Sequence, residues 1–137
     1  PIVTEEWGHF RMVLAEISKR NLRLGPQRKD DYVNALNTLE TKGGRPETRF
    51  MDRLLIFALI EARSCERFRL LSEGLTDEYL REFYRKFMIS EAGHYRLFID
   101  LANEYCDEAT VQKRWHELLE AEKEILANLD IRGDRIH

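Results

Sequence analysis

The sequence predicts an all-α bundle with carboxylates inside it, and three observations carry that prediction. First, apolar residues recur at helical spacing along a chain of 137 residues with only 7 Gly and 3 Pro. Second, two long apolar rows carry acids where apolar side chains are expected. One row is Leu54, Phe57, Ala58, Glu61, Cys65 and Phe68; the other is Tyr84, Phe87, Met88, Glu91, His94, Tyr95 and Phe98. A carboxylate in such a stripe costs several kcal/mol to bury unless it is paired, protonated or bound to a cation. Third, the spacing Glu-x-x-His occurs twice, as Glu6-Trp7-Gly8-His9 and Glu91-Ala92-Gly93-His94.

The elements follow in order. A first helix runs from residue 3 to about 22, with Ile2, Glu6, His9, Phe10, Val13 and Ile17 on one side, and Leu24-Gly25-Pro26 ends it. A short helix fits about 30–40, capped by Asp30 or Asp31, with Tyr32, Leu36 and Leu39 as its apolar face. Lys42-Gly43-Gly44-Arg45-Pro46 reads as a loop, and a long helix spans about 47–73 until Gly74 closes it. Thr76 caps the next helix, which continues to about 106, with Asp77 and Glu78 favourable in its first turn. A last helix covers about 108–128, with Val111, Trp115, Leu118, Leu119 and Ile125 inward, before an irregular polar tail from Asp130 to His137.

The chain is long enough for one domain with a single core. Its net charge of −3 announces no nucleic-acid field, although local basic clusters remain. Cys65 and Cys106 are too few for a disulfide framework or a zinc knuckle and read as reduced thiols of a cytoplasmic protein. No apolar run approaches the roughly 18 residues of a membrane span. Pro1-Ile2-Val3-Thr4 enters the helical pattern without a Met start, so the reading is of an N-terminally incomplete domain.

Two Glu-x-x-His hits among 17 Glu and 4 His arise by composition about one time in twelve, so the spacing alone is weak. Context strengthens it. Both motifs lie in apolar helical stripes, and Glu61 lies on a third. Two such helices, each matched by another supplying one Glu, make the carboxylate-bridged di-metal arrangement of a four-helix bundle. Hard oxygens with one imidazole per metal suit iron, then manganese, better than zinc. Each imidazole also needs an acceptor on its other nitrogen; Glu5 and Ser90 flank the motifs. By this count one carboxylate is missing. Glu122 is the fallback, being in line with Leu118 and Ile125, but the pattern places the fourth acid on a helix before Glu6.

Leu59-Ile60-Glu61-Ala62-Arg63-Ser64-Cys65-Glu66-Arg67-Phe68 and Ser90-Glu91-Ala92-Gly93-His94-Tyr95 resemble the bacterial tRNA 2-methylthio-isopentenyladenosine hydroxylases. The resemblance extends to Glu5-Glu6-Trp7-Gly8-His9-Phe10 and the linker from Gly25 to Arg49. It implies a ferritin-like four-helix bundle, here lacking its N-terminal helix, and a di-iron monooxygenase that hydroxylates the isopentenyl group beside the anticodon. It implies Glu6, His9, Glu61, Glu91 and His94 as metal ligands, and tRNA, dioxygen and an electron-donating reductase as partners, with dimerisation open.

Other residues have plainer readings beside sharper ones. Arg20, Arg23, Arg28 and Lys29, with Lys19 before them and Lys42, Arg45, Arg49 and Arg53 after, could meet RNA phosphates or form a solvated rim. Arg63 and Glu66 could face substrate or pair within their helix, and Cys65 is a small hydrophobe. Phe57, Phe87 and Met88 would line a cavity for the prenyl group. The rival functions are another di-iron oxidase or peroxidase, and a metal-free helical RNA-binding bundle.

Overall fold

A computed structural model describes residues 2–129 and contains five helices and no strand among them. They are α1 (Ile2–Lys19), α2 (Asp31–Asn37), α3 (Pro46–Gly74), α4 (Glu78–Tyr105) and α5 (Glu108–Asn128). The polar tail lies outside the described residues.

Local chemistry sets the boundaries. α1 stops earlier than its apolar pattern suggests, and neither Gly25 nor Pro26 stops it. Asn21 adopts φ 55°, and the Leu22 amide donates to the Ile17 carbonyl at 3.0 Å, a left-handed cap that asparagine tolerates. Asp30 caps α2 through Val33 N at 3.1 Å. Pro46 opens α3 where no donor is needed. Asp77, not Thr76, caps α4: its carboxylate accepts from Leu80 N at 3.1 Å. Asp107 does the same for α5 through Thr110 N at 2.9 Å.

α3 and α4 form a long antiparallel hairpin. The buried residues of α3, from Met51 to Leu59, all lie in its first half. There they join Tyr32 and Leu36 of α2, Ala102 of α4, and Val111 and Leu118 of α5 in one apolar cluster. Each such Leu, Ile or Met contributes about 1.5–3 kcal/mol by leaving water. Within this core Asp52 is wholly buried. Both its oxygens are engaged, by Arg114 Nε and Nη2 at 2.6 and 2.9 Å and by Thr41 N at 2.7 Å. Arg114 also donates to the Leu39 carbonyl at 2.8 Å, so one ion pair ties α5 to α3 and to the linker before it.

α1 lies along α4. Its buried Glu16 accepts from Tyr79 Oη at 2.6 Å and Lys19 Nζ at 2.7 Å, and pairs with Arg20. Hydrogen bonds from Lys19, then Tyr79 and Arg20, hold this carboxyl far down, at about 2. The opposite face of α1 is apolar and open, with Val3 84%, Trp7 59% and Phe10 43% exposed. Val13 is likewise 38% exposed, whereas His9 turns inward against Phe87, and α5 is covered by α2 and α3. Phe57 and Leu119 are also more exposed than their stripes imply, at 40% and 37%.

Candidate metal centre

Three helices bring five side chains together: Glu6 and His9 from α1, Glu61 from α3, and Glu91 and His94 from α4. Each motif carboxylate faces both imidazoles. Glu6 Oε1 lies 3.0 Å from His94 Nδ1 and 3.4 Å from His9 Nδ1. Glu91 Oε1 lies 3.4 Å from His9 Nδ1, and Glu91 Oε2 3.8 Å from His94 Nδ1. Glu61 Oε2 approaches His94 Nδ1 at 3.9 Å, and the two imidazole rings are 6.1 Å apart. The helical offset of three puts Glu and His of each motif on one side of their helix, and the apolar stripe turns that side inward.

The polar atoms at the centre are not satisfied by one another. Glu6 Oε1, His9 Nδ1 and His94 Nδ1 are buried without a hydrogen-bond partner, despite separations as short as 3.0 Å. Lone pairs crowded together without a proton between them are what a shared cation relieves. Glu6, Glu91 and His94 alone offer three ligand atoms within 4.8 Å of one another. Burial, then the neighbouring Glu61, push the Glu91 carboxyl up to about 9. The donor set of hard oxygens and two imidazoles fits a pair of divalent transition metals.

The acceptor for His94 is also visible. Its Nε2 stands 2.9 Å from Glu5 Oε2, across from α4 to α1. With the proton on Nε2 and donated to Glu5, Nδ1 keeps its lone pair and points it at Glu6, Glu61 and Glu91. That hydrogen bond also lowers the Glu5 carboxyl below its ordinary value. Glu5→Ala should therefore weaken metal binding by about 10–100-fold, the usual cost of losing an imidazole's outer partner, with Glu5→Gln intermediate. Chelator competition measures this; an unchanged affinity in both variants would remove Glu5 from the role.

Several sequence readings resolve differently. Glu122 is buried but stands apart from the centre, accepting from Tyr32 Oη at 2.6 Å and from Arg63 Nη2 at 3.2 Å. Burial first, then this bond, raise the Tyr32 phenol. Arg63 thus ties α3 to α5 through Glu122, and it also pairs with Glu66 on its own helix at 2.5 Å. Cys65 donates to the Met88 carbonyl at 3.4 Å, and burial raises its thiol, as for a small core residue. Phe57, Phe87 and Met88 have different surroundings among the described residues. Phe57 packs on Phe98, Phe87 on His9, and Met88 lines a cleft among arginines. Arg20 is held by Glu16, while Arg23, Arg28 and Lys29 lie on the exposed linker after α1. Exposed His116 bonds the Gln112 carbonyl; His137 lies outside the described residues.

Sequence reasoning missed two buried acids, Asp52 and Glu16. Each had a signal: Asp52 interrupts the apolar run from Phe50 to Ile56, and Glu16 has cations three and four residues on.

With this geometry in view, comparison with known proteins is specific. The profile of the family described as tRNA-(MS[2]IO[6]A)-hydroxylase (MiaE) matches residues 1–137. The tRNA 2-(methylsulfanyl)-N(6)-isopentenyladenosine(37) hydroxylase of Pseudomonas putida is 36% identical over 129 residues, which are 94% of this chain and 62% of that one. The protein of the same name from Salmonella typhimurium is 32% identical over 142 aligned positions, covering 99% of this chain and 48% of its own. The chain thus spans about half to two-thirds of the curated relatives it matches. A solved structure described as protein 43 with aldehyde deformylating oxygenase activity, from Synechococcus, superposes with a TM-score of 0.88 at 36% identity. It is covered to 65% by 96% of this chain, and the shared architecture is the all-α ferritin-like fold.

Proposed function

Because this chain belongs to the MiaE family of tRNA hydroxylases, we propose that it takes part in hydroxylating the isopentenyl group of 2-methylthio-isopentenyladenosine in tRNA, using a pair of iron ions. One observation carries the metal part of this reading: three buried polar atoms without a hydrogen-bond partner, Glu6 Oε1, His9 Nδ1 and His94 Nδ1, converge within the two Glu-x-x-His motifs. Glu6, His9, Glu61, Glu91 and His94 would hold the metal pair, with Glu6 and Glu91 each facing both imidazoles and Glu61 near His94. When bound, the iron pair would supply activation of dioxygen for insertion of one oxygen atom into a carbon–hydrogen bond, with electrons from a reductase.

The chain's own residues prepare that chemistry. Glu5 holds the His94 ring and its tautomer. Phe87 packs on His9 at 4.8 Å and with Phe83 and Phe68 keeps water from that side of the centre. No described helix is long and apolar enough to cross a membrane, and a tRNA substrate fits a cytoplasmic setting. The linker cations Arg23, Arg28 and Lys29 would add phosphate contacts, with Arg20 shared with Glu16.

The test is a reaction of tRNA carrying the modified adenosine with the protein, ferrous iron, a reductant and dioxygen, followed by nucleoside analysis. A nucleoside heavier by one oxygen atom is expected, and the parent should decline in step. No conversion, beside a Pseudomonas putida relative that converts the same tRNA, would refute the reading. The Synechococcus structure supplies a second reading, oxygen-dependent deformylation of an aldehyde, which the same reaction with an aldehyde in place of tRNA would reveal as a product shorter by one carbon.

A further inference from the structure

α1 is attached to the rest of the chain unlike the other helices. Among its described residues only Glu16, an acid, is buried, whereas α2, α3, α4 and α5 each bury apolar side chains. Leu14 and Ile17 are half-buried, and Val3, Trp7, Phe10, Met12 and Val13 are exposed. Every residue from 21 to 30 is exposed as well, so the linker to α2 gives α1 no packing at that end. Burial of an apolar face is what ordinarily fixes a helix in a fold, and α1 has little of it.

Two groups of polar contacts fix it instead. At one end Glu16 accepts from Tyr79 Oη of α4 at 2.6 Å. At the other, Glu5 and Glu6 meet His94 of α4 at 2.9 and 3.0 Å, and His9 packs on Phe87. Glu16 is seven residues beyond His9, so it stands on the same face about 10 Å along the helix. Between the two attachments lies a slot of about 270 Å³, lined by Met12, Ala15, Glu82, Phe83 and Lys86, with Glu16, Lys19 and Tyr79 at its end. Over that stretch α1 and α4 do not interdigitate.

The two attachments differ in kind. Glu16 is satisfied, since Lys19 at 2.7 Å and Arg20 bond to it as well as Tyr79. The seam at the centre is not. Glu6 of α1 shares the surroundings of His94 with Glu61 and Glu91 of the hairpin, and like charges brought from two sides repel. Glu6 Oε1 and His9 Nδ1 on one side of the seam, and His94 Nδ1 on the other, lack hydrogen-bond partners. A cation held between them turns that repulsion into attraction and draws α1 onto α4.

We propose that α1 is an arm which metal closes onto the hairpin, and that Glu16 with Tyr79 is the latch that keeps Glu6 and His9 in register with Glu61, Glu91 and His94. Glu16 is thus a positioning residue, two turns from the nearest ligand of the centre. The proposal rests on the metal reading above and is indifferent to the substrate. Its consequence is thermodynamic: the apparent affinity for metal is the intrinsic affinity reduced by the fraction of chains whose arm is closed.

The experiment is residue-resolved hydrogen exchange of the chain with and without ferrous iron under anaerobic conditions, beside equilibrium iron binding. In the iron-free chain, α1 amides should exchange about tenfold or more faster than those in the middle of α3 and α4, because the arm opens without global unfolding. Iron should slow the α1 amides by about tenfold or more. Glu16→Ala should raise the apparent Kd for iron about tenfold, Tyr79→Phe should act in the same direction, and Glu16→Gln, which still accepts from Tyr79, should do less. Saturating iron should restore α1 protection in Glu16→Ala, a rescue that loss of a merely structural contact would not show. Glu120→Ala, at an exposed position of α5, should change neither readout. Unchanged α3 and α4 rates would show the variants folded. Equal protection of α1, α3 and α4 in the iron-free chain would overturn the arm, and an unchanged iron affinity in Glu16→Ala would overturn the latch. An unaltered chain that binds no iron would overturn the metal reading and the arm with it. Iron-dependent protection of α1 in a chain that converts no tRNA would support the arm and count against the tRNA reading alone.

Discussion

Glu91→Ala should abolish binding of a metal pair, whereas Cys65→Ser, one turn from Glu61 on the facing helix, should bind as much metal as the unaltered chain. Glu91 is the residue on which the site converges. Its two oxygens face His9 and His94 separately, and burial, then the neighbouring Glu61, raise its carboxyl. Removing it would take away the buried carboxylate that faces both imidazoles and leave Glu6, His9, Glu61 and His94 with too few donors for two metal ions. Cys65 is a control for packing: its thiol only meets the Met88 carbonyl, and serine nearly matches its size. Metal content after anaerobic ferrous loading and desalting is the measurement. Equal loss in the two variants would mean that the centre lies elsewhere or that the hairpin itself had failed.

The largest effect on stability is expected at Asp52, far from that centre. Asp52→Ala should cost about 3 kcal/mol, because it strands the Arg114 guanidinium and frees the linker at Thr41. Arg114→Ala should cost a similar amount by leaving a buried charge. The double variant should cost less than the sum, since each single change includes the penalty of the abandoned partner. The pH dependence has a definite sign. Burial alone would raise the Asp52 carboxyl, but the hydrogen bonds from Arg114 and Thr41 outweigh it and hold it below 3.8. Its contribution is therefore fully present above about pH 4 and lost as pH falls through the lower folded value. Denaturant midpoints of the unaltered chain and Asp52→Ala should differ widely at neutral pH and approach each other in acid. A constant gap down to pH 2 would deny the ion pair this role.

Much of the helical frame was legible in the sequence, because helix periodicity and end-capping are local. Tyr32, Leu36, Val111 and Leu118 fell on the inward face that their spacing implies, and the long hairpin came from two long, largely apolar stripes. Where two local signals competed, sequence was a weaker guide. Gly25-Pro26 looked like the end of α1, yet Asn21 ended it first by entering the left-handed region. Thr76 and Asp77 both offered a cap, and the carboxylate took it.

At the centre, sequence determined which residues share a helix face, since an offset of three is a fixed rotation. Glu6 with His9, and Glu91 with His94, were settled at that level. Which helices meet is not a local property. Only tertiary packing decided that Glu5 bonds His94 rather than His9, and that Glu122 bonds Tyr32 and Arg63 instead of joining the centre. A stripe says that a side chain turns inward; the crossing of another helix at that height decides what it meets there.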